Sequence, residues 1–203
     1  LFRDYCLDEA ELETYKGAAE RVLSIPQRGF DFYYFVDKDP ESSAMLKQRL
    51  SKYEKIKRLE FRNSDANKQI EMLAQAMHND NSLAALVLLD PFGMQVDWNS
   101  IEQLKGTRTD LWILIPTGVI VNRLLDRKCE LTHAEKLTSF FGKDEDFLRD
   151  YCYKRKKVDT LFGETEIIEK VKKPIEKIAE LYIEQLKTIF DYATEKPLAL
   201  YNT

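Results

Sequence analysis

Apolar residues fall along this chain in two rhythms, short unbroken runs and stripes at three-to-four spacing, and the two alternate. Leu86-Val87-Leu88-Leu89 is the clearest run, and it stops at Asp90-Pro91-Phe92-Gly93. A short apolar run bounded by turn residues predicts a strand buried on both faces, as in a parallel sheet. Phe30 to Val36 and Leu111 to Ile115 read the same way and end at Asp37-Lys38-Asp39-Pro40 and Pro116-Thr117-Gly118. The aromatics from Phe30 to Phe35 are then core. A further strand is expected over Ile56 to Phe61, running into the polar turn Arg62-Asn63-Ser64-Asp65-Ala66-Asn67.

Between these runs the spacing becomes helical. Asp8 to Ser24 carries Leu12, Tyr15, Ala19 and Val22-Leu23 on one stripe, with acids at its N-terminal end. Glu41 to Tyr53 follows Pro40, a residue suited to a first helical turn. Lys68 to His78 places Ile70, Leu73, Ala74 and Met77 together, Trp98 to Leu104 is short, and Val119 to Leu125 makes one or two turns. Thr132 to Phe141, Asp144 to Arg155 and Pro174 to Tyr192 are further helices, and Pro197 to Tyr201 reads as a strand. Alternating strand and helix up to Leu125 predicts an α/β fold with a parallel sheet and helices on both faces. The pattern from Thr132 to Tyr192 is purely helical. This gives an α/β core over 1–128, a helical cap or insertion over 129–193 and a terminal strand over 194–203 returning to the sheet.

Composition narrows the function classes. A net charge of −4 argues against a broad nucleic-acid footprint, so any such contact is local. No apolar run is long enough to span a bilayer and no leader pattern is seen, which gives the expectation of a cytoplasmic protein away from membranes. Cys6, Cys129 and Cys152 lack Cys-x-x-Cys spacing, and His78 and His133 are isolated, so neither a disulfide framework nor a metal site is expected. Gly-x-Gly-x-x-Gly, Gly-x-x-x-x-Gly-Lys-Ser/Thr and Gly-x-Ser-x-Gly do not occur. The chain starts at Leu1 rather than Met, so part of the natural protein is expected to lie outside it.

The polar candidates all follow predicted strands, where ligands bind in open α/β sheets. Asp37, with Asp39 beside it, suits the vicinal hydroxyls of a ribose, or else the pair ends the strand and caps the next helix. Asp65 can accept from a purine amine or serve as a helix cap. Asp90 and the backbone of Pro91 can orient an amine nucleophile while Phe92 stacks on a flat substrate, although Asp-Pro is also an ordinary turn starter. Gly93, Asn122 and Arg123 complete the substrate side, Arg123 as a partner for an anion or as a plain surface charge. Lys154-Arg155-Lys156-Lys157 reads as a solvated helix end.

Leu86 to Trp98 followed by Leu111 to Leu125 resembles the three-Cys-motif partner proteins, over roughly Ala18 to Leu125. That family is similar to the class I S-adenosylmethionine-dependent methyltransferases, so the resemblance implies a Rossmann-like sheet and S-adenosylmethionine as cofactor. It also implies a three-Cys-motif protein as partner and a methyl acceptor, such as a nitrogen of a nucleic acid or another amine. S-adenosylmethionine would lie along Asp37, at the ribose, Asp65, at the adenine, and Asp90, and Asp90 to Gly93 would stand where amino methyltransferases carry Asp-Pro-Pro-aromatic. Phe92 and Gly93 depart from that motif. The family's glycine-rich first strand and loop has no match in Leu1 to Ser24: either it precedes Leu1 or cofactor binding is impaired. A non-catalytic partner protein that keeps the fold is the alternative.

Overall fold

The computed structural model describes residues 17–26, 29–91, 93–121, 125, 131–160 and 163–198. The chain divides between Ala66 and Asn67 into two compact units.

In the first unit α1 (Ala18–Leu23) leads to β1 (Tyr33–Asp37), α2 (Pro40–Leu50) and β2 (Leu59–Asn63). The part of the expected first helix before residue 17 lies outside the described residues. α2 starts where its sequence says it should: Pro40 stands in the first turn, and the Asp39 carboxylate accepts the Ser42 N–H at 2.8 Å. β2 begins three residues later than the spacing suggested. The turns after Ser51–Tyr53, closed by Glu54 N–H on Ser51 O (3.1 Å) and Lys57 N–H on Tyr53 O (2.9 Å), hold Ile56 out in solvent.

β1 and β2 pair in parallel, from Tyr33 opposite Leu59 to Asp37 opposite Asn63, with α2 as the crossover. Tyr33 packs with Leu23 and Leu50, and Phe35 stacks on Phe61 at 5.3 Å on the same side. Tyr34 and Val36 point the other way and are exposed, as is Phe32. Side chains alternate across a strand, and among the described residues only one face of this pair is covered. The expectation of a strand buried on both faces is therefore corrected here.

The second unit runs from α3 (Ala66–Asn79, counted from its second residue) through β3 (Ala85–Leu89), α4 (Trp98–Glu102) and β4 (Thr109–Ile113). Beyond a helical turn at Thr117–Val119 come α5 (Ala134–Phe141), α6 (Glu145–Cys152), β5 (Tyr153–Thr160), β6 (Gly163–Lys170) and α7 (Pro174–Leu186). β3 and β4 pair in parallel, with Val87, Leu89, Leu111 and Ile113 toward the core. Leu86, Leu88 and Trp112 are exposed on the other face, so the same correction applies to the run that looked most deeply buried.

A second correction concerns 129–193. It is not purely helical: α6 stops at Cys152, and Tyr153 to Lys170 forms an antiparallel hairpin. The basic run is thus in a strand, not at a helix end. Val158, Thr160, Thr165, Ile167 and Ile168 supply the β-branched residues that favour this. On the last long helix the spacing puts Ile175, Ile178, Ala179, Tyr182, Ile183, Leu186 and Ile189 on one stripe, and all but the exposed Ile175 are buried or half-buried against the core. The expected terminal strand is described only as far as residue 198.

The fold is mixed α/β. Its described strands form two parallel pairs and one antiparallel pair, and no larger sheet is assembled among the described residues. No described helix is long and apolar enough to cross a membrane.

Candidate functional site

The carboxyl ends of β1 and β2 make one polar edge. Because Asp37 lies opposite Asn63, both strands finish together. The Asn63 side-chain amide donates to the carbonyls of Asp37 (3.1 Å) and Lys38 (2.9 Å), and Ser64 N–H donates to the Asp37 carbonyl at 3.1 Å. These bonds tie the two strand-end loops to each other. Lys38 Nζ then reaches the Asp65 carboxylate at 3.4 Å. Asp37 and Asp65 are brought to the same edge of this unit.

The two acids on the first loop have separate tasks. Asp39 caps α2, and Ser42, through its side chain and then its backbone N–H, holds the Asp39 carboxyl below the ordinary aspartate value. Asp37 uses one oxygen to accept the Asp39 N–H at 2.8 Å. Its other oxygen has no hydrogen-bond partner among the described residues, and the side chain is exposed at the strand end. A carboxylate oriented by one backbone donor, with an oxygen facing solvent, is equipped to accept from a ligand's hydroxyl groups. Asp65 is half-buried and already engaged with Lys38, a more constrained position for meeting an exocyclic amine.

In the second unit Asp90 follows β3 directly and is exposed. Pro91 is half-buried, and Gly93 has φ +82°, a left-handed turn that glycine adopts without strain. Phe92, Asn122 and Arg123 lie outside the described residues. The loop that continues from Gly93 is clamped by a residue the sequence reading had not singled out. Asn67 donates from its side-chain amide to the Gln95 carbonyl at 2.9 Å and accepts the Asp97 N–H at 2.8 Å. The Asp97 carboxylate in turn accepts the Ser139 hydroxyl. An asparagine at the start of a helix after a polar turn was the available signal, but its loop partners are about thirty residues away in sequence.

Glu20 was also missed. It is buried in the first unit and bridges Arg49 Nε at 3.0 Å and Lys52 Nζ at 2.5 Å. Both cations come from α2 and the turn after it, so the contact is an internal brace.

A surface cavity of about 670 Å³ lies at the amino ends of β1 and β2, near Pro26, Phe30, Lys57 and Arg58. It is at the opposite end of the strands from Asp37. Lys57 Nζ donates there to the Tyr33 hydroxyl oxygen at 3.0 Å, which also accepts the Phe30 N–H. No group of three or more His, Cys, Asp or Glu among the described residues is arranged to hold a metal ion. Burial pushes the Cys152 thiol up to about 11, which keeps it from serving as a nucleophile at neutral pH.

Comparison with family models, with curated proteins and with solved structures finds no match to this chain.

Proposed function

We propose that the chain is an S-adenosylmethionine-binding protein of the methyltransferase type, acting on a nitrogen nucleophile. The observation that carries this reading is the common edge of β1 and β2. There the backbone orients Asp37 while leaving one carboxylate oxygen to solvent, and Asp65 stands on the neighbouring loop. The donor set suits the nucleoside half of the cofactor. Asp37 would hold the ribose diol, and Asp65, with Lys38 drawn aside, would meet the adenine amine. A Rossmann-like sheet is part of this proposal, and two parallel strand pairs are its coarser foundation.

In the second unit, Asp90 and the Pro91 carbonyl would take the acceptor amine. A proline at that position fixes the turn and donates no hydrogen bond, leaving its carbonyl to accept from the amine. Bound S-adenosylmethionine supplies an electrophilic methyl group. Titration calorimetry tests the reading: S-adenosylmethionine should bind saturably, and Asp37→Asn should weaken it by about tenfold, the loss of one charge-assisted bond of ~1.4 kcal/mol. Absence of binding at about 1 mM, a free energy near −4 kcal/mol, would overturn it.

A non-catalytic partner protein is the second reading, favoured by one observation. Asp90 is exposed and has no hydrogen bond or ion pair among the described residues, whereas a built catalytic carboxylate is usually supported by neighbours. Cofactor binding with no methyl transfer to RNA, DNA, peptide or the three-Cys-motif protein in a radiolabel assay would select it.

A further inference from the structure

The β5–β6 hairpin sets a mainly basic strand, four cations with Asp159 two residues beyond them, against a mainly acidic one, three glutamates with Lys170 at its end. Lys154, Arg155, Lys156 and Lys157 follow one another on β5 and are all exposed; Glu164, Glu166 and Glu169 lie on β6 and are exposed too. The register decides which charges are compensated. Lys154 stands opposite Glu169 and Lys157 opposite Glu166, and Lys157 also approaches Glu164 at 3.6 Å. Arg155 and Lys156 stand opposite Ile168 and Ile167 instead. Neighbouring residues on a strand face opposite sides, so each face of β5 carries one cation with no acid across from it.

From Lys154 onward the outer edge of β5 has no strand partner among the described residues. Among the described residues β5 pairs only with β6. The Val171 N–H donates to the Cys152 carbonyl at 2.9 Å, which sets the phase of the antiparallel ladder. By alternation, the main-chain groups of Lys154 and Lys156 turn toward β6, and those of Arg155 and Lys157 turn outward. Open edges of this kind accept an added strand.

We propose that the β5 edge docks an extended acidic peptide segment of a partner protein, by strand addition. Charge selects this occupant over the two obvious rivals. A second copy related by a two-fold axis would place β5 against β5 or β6 against β6, setting like charges opposite one another. A nucleic-acid groove has phosphates on both walls, and the glutamates of β6 would face one of them. An acidic strand meets only the basic edge. Arg155 and Lys156 then supply charge on the two faces while Arg155 and Lys157 supply main-chain bonds. This inference does not depend on cofactor binding.

The test uses the whole chain and a capped, fluorescein-labelled peptide of repeating Glu-Glu-Val-Val, which carries acid on both faces when extended, read by anisotropy at low salt. Saturable binding is expected, loosened about tenfold in an Arg155→Gln/Lys156→Gln double variant whose far-UV spectrum is unchanged. The same peptide N-methylated at every residue should not bind, because neither of its edges can then donate to the ladder; that arm decides even where the double variant misfolds. Three results would overturn the proposal. They are no saturation at about 1 mM peptide, equal affinity for the N-methylated peptide, or tighter binding of a single- or double-stranded oligonucleotide that the double variant abolishes.

Discussion

The buried Glu20 carboxylate of the first unit meets Arg49 and Lys52, while the buried Tyr182 hydroxyl of the second unit meets no hydrogen-bond partner among the described residues. The difference follows from the cores around them. Leu23, Tyr33 and Leu50 are the fully buried centre of the first unit; the second gathers Trp98, Phe140, Phe141 and Tyr182 with many aliphatic side chains. A small unit buries a small share of its surface, so each polar group inside it must be satisfied. A large aromatic core gains enough from ring burial to carry an orphan hydroxyl, whose desolvation costs roughly 1–3 kcal/mol. Three substitutions test this contrast.

The largest effect is expected at Gly142. It ends α5 with φ +60°, and its N–H donates to the Thr138 carbonyl at 2.8 Å. An added Cβ would collide with the indole of Trp98, at the edge of the aromatic cluster. Gly142→Ala therefore adds left-handed backbone strain of ~1–2 kcal/mol to overpacking of ~1–3 kcal/mol, a loss of about 2–5 kcal/mol. Hydrogen exchange should show protection falling in α5 and α7 while α2 is spared. If α2 loses protection equally, the two cores unfold together and the contrast has no energetic content.

Glu20→Gln should cost less, about 1–2 kcal/mol at neutral pH. Arg49 and Lys52 are part-exposed and regain water when the charge is removed, so the full penalty for breaking a buried pair does not apply. The pH dependence is more diagnostic than the size. The hydrogen bond from Lys52, opposed by burial and aided by Arg49, holds the Glu20 carboxyl below 4.5, its ordinary value. A depressed folded value stabilises fully above the unfolded value and loses that contribution as pH falls through the folded one. Denaturant titrations should therefore show the gap between wild type and Glu20→Gln constant at neutral pH and narrowing only as pH falls below 4.5. A gap that stays constant would mean that the carboxylate's charge is not what braces the unit.

How far these cores could be read from sequence depends on the range of the cause. Leu86 to Leu89 announced a strand because the signal is local, and Pro40 and Asp39 announced a helix start for the same reason. The faces were not legible: Leu88 and Trp112 belong to fully apolar runs yet lie exposed, since coverage is set by other elements. The hairpin was missed because Lys154 to Lys157 masks the β-branched residues around it, and charge was given more weight than pairing. Glu20 and Asn67 could not be singled out, as each finds its partners about thirty residues away. At the candidate site, Asp37 and Asp65 were each legible as strand-end acids. The side-chain amide of Asn63 that ties their loops together was not.

The smallest effect, and the one with the opposite sign, is expected from Tyr182→Phe. The ring packs with Phe140 at 4.9 Å, Trp98 at 5.8 Å and Phe141 at 6.0 Å, and burial pushes the hydroxyl pKa up. Phenylalanine keeps every one of those ring contacts. It removes a donor whose hydrogen bond to water is lost on folding and replaced by none among the described residues. The small void left behind offsets part of the gain, so stability should be unchanged or raised by up to about 1 kcal/mol. Denaturant midpoints at constant m report it directly. A loss of more than about 1 kcal/mol would show that the hydroxyl has a partner, a trapped water being the usual one. The second core would then follow the same rule as the first, satisfying what it buries.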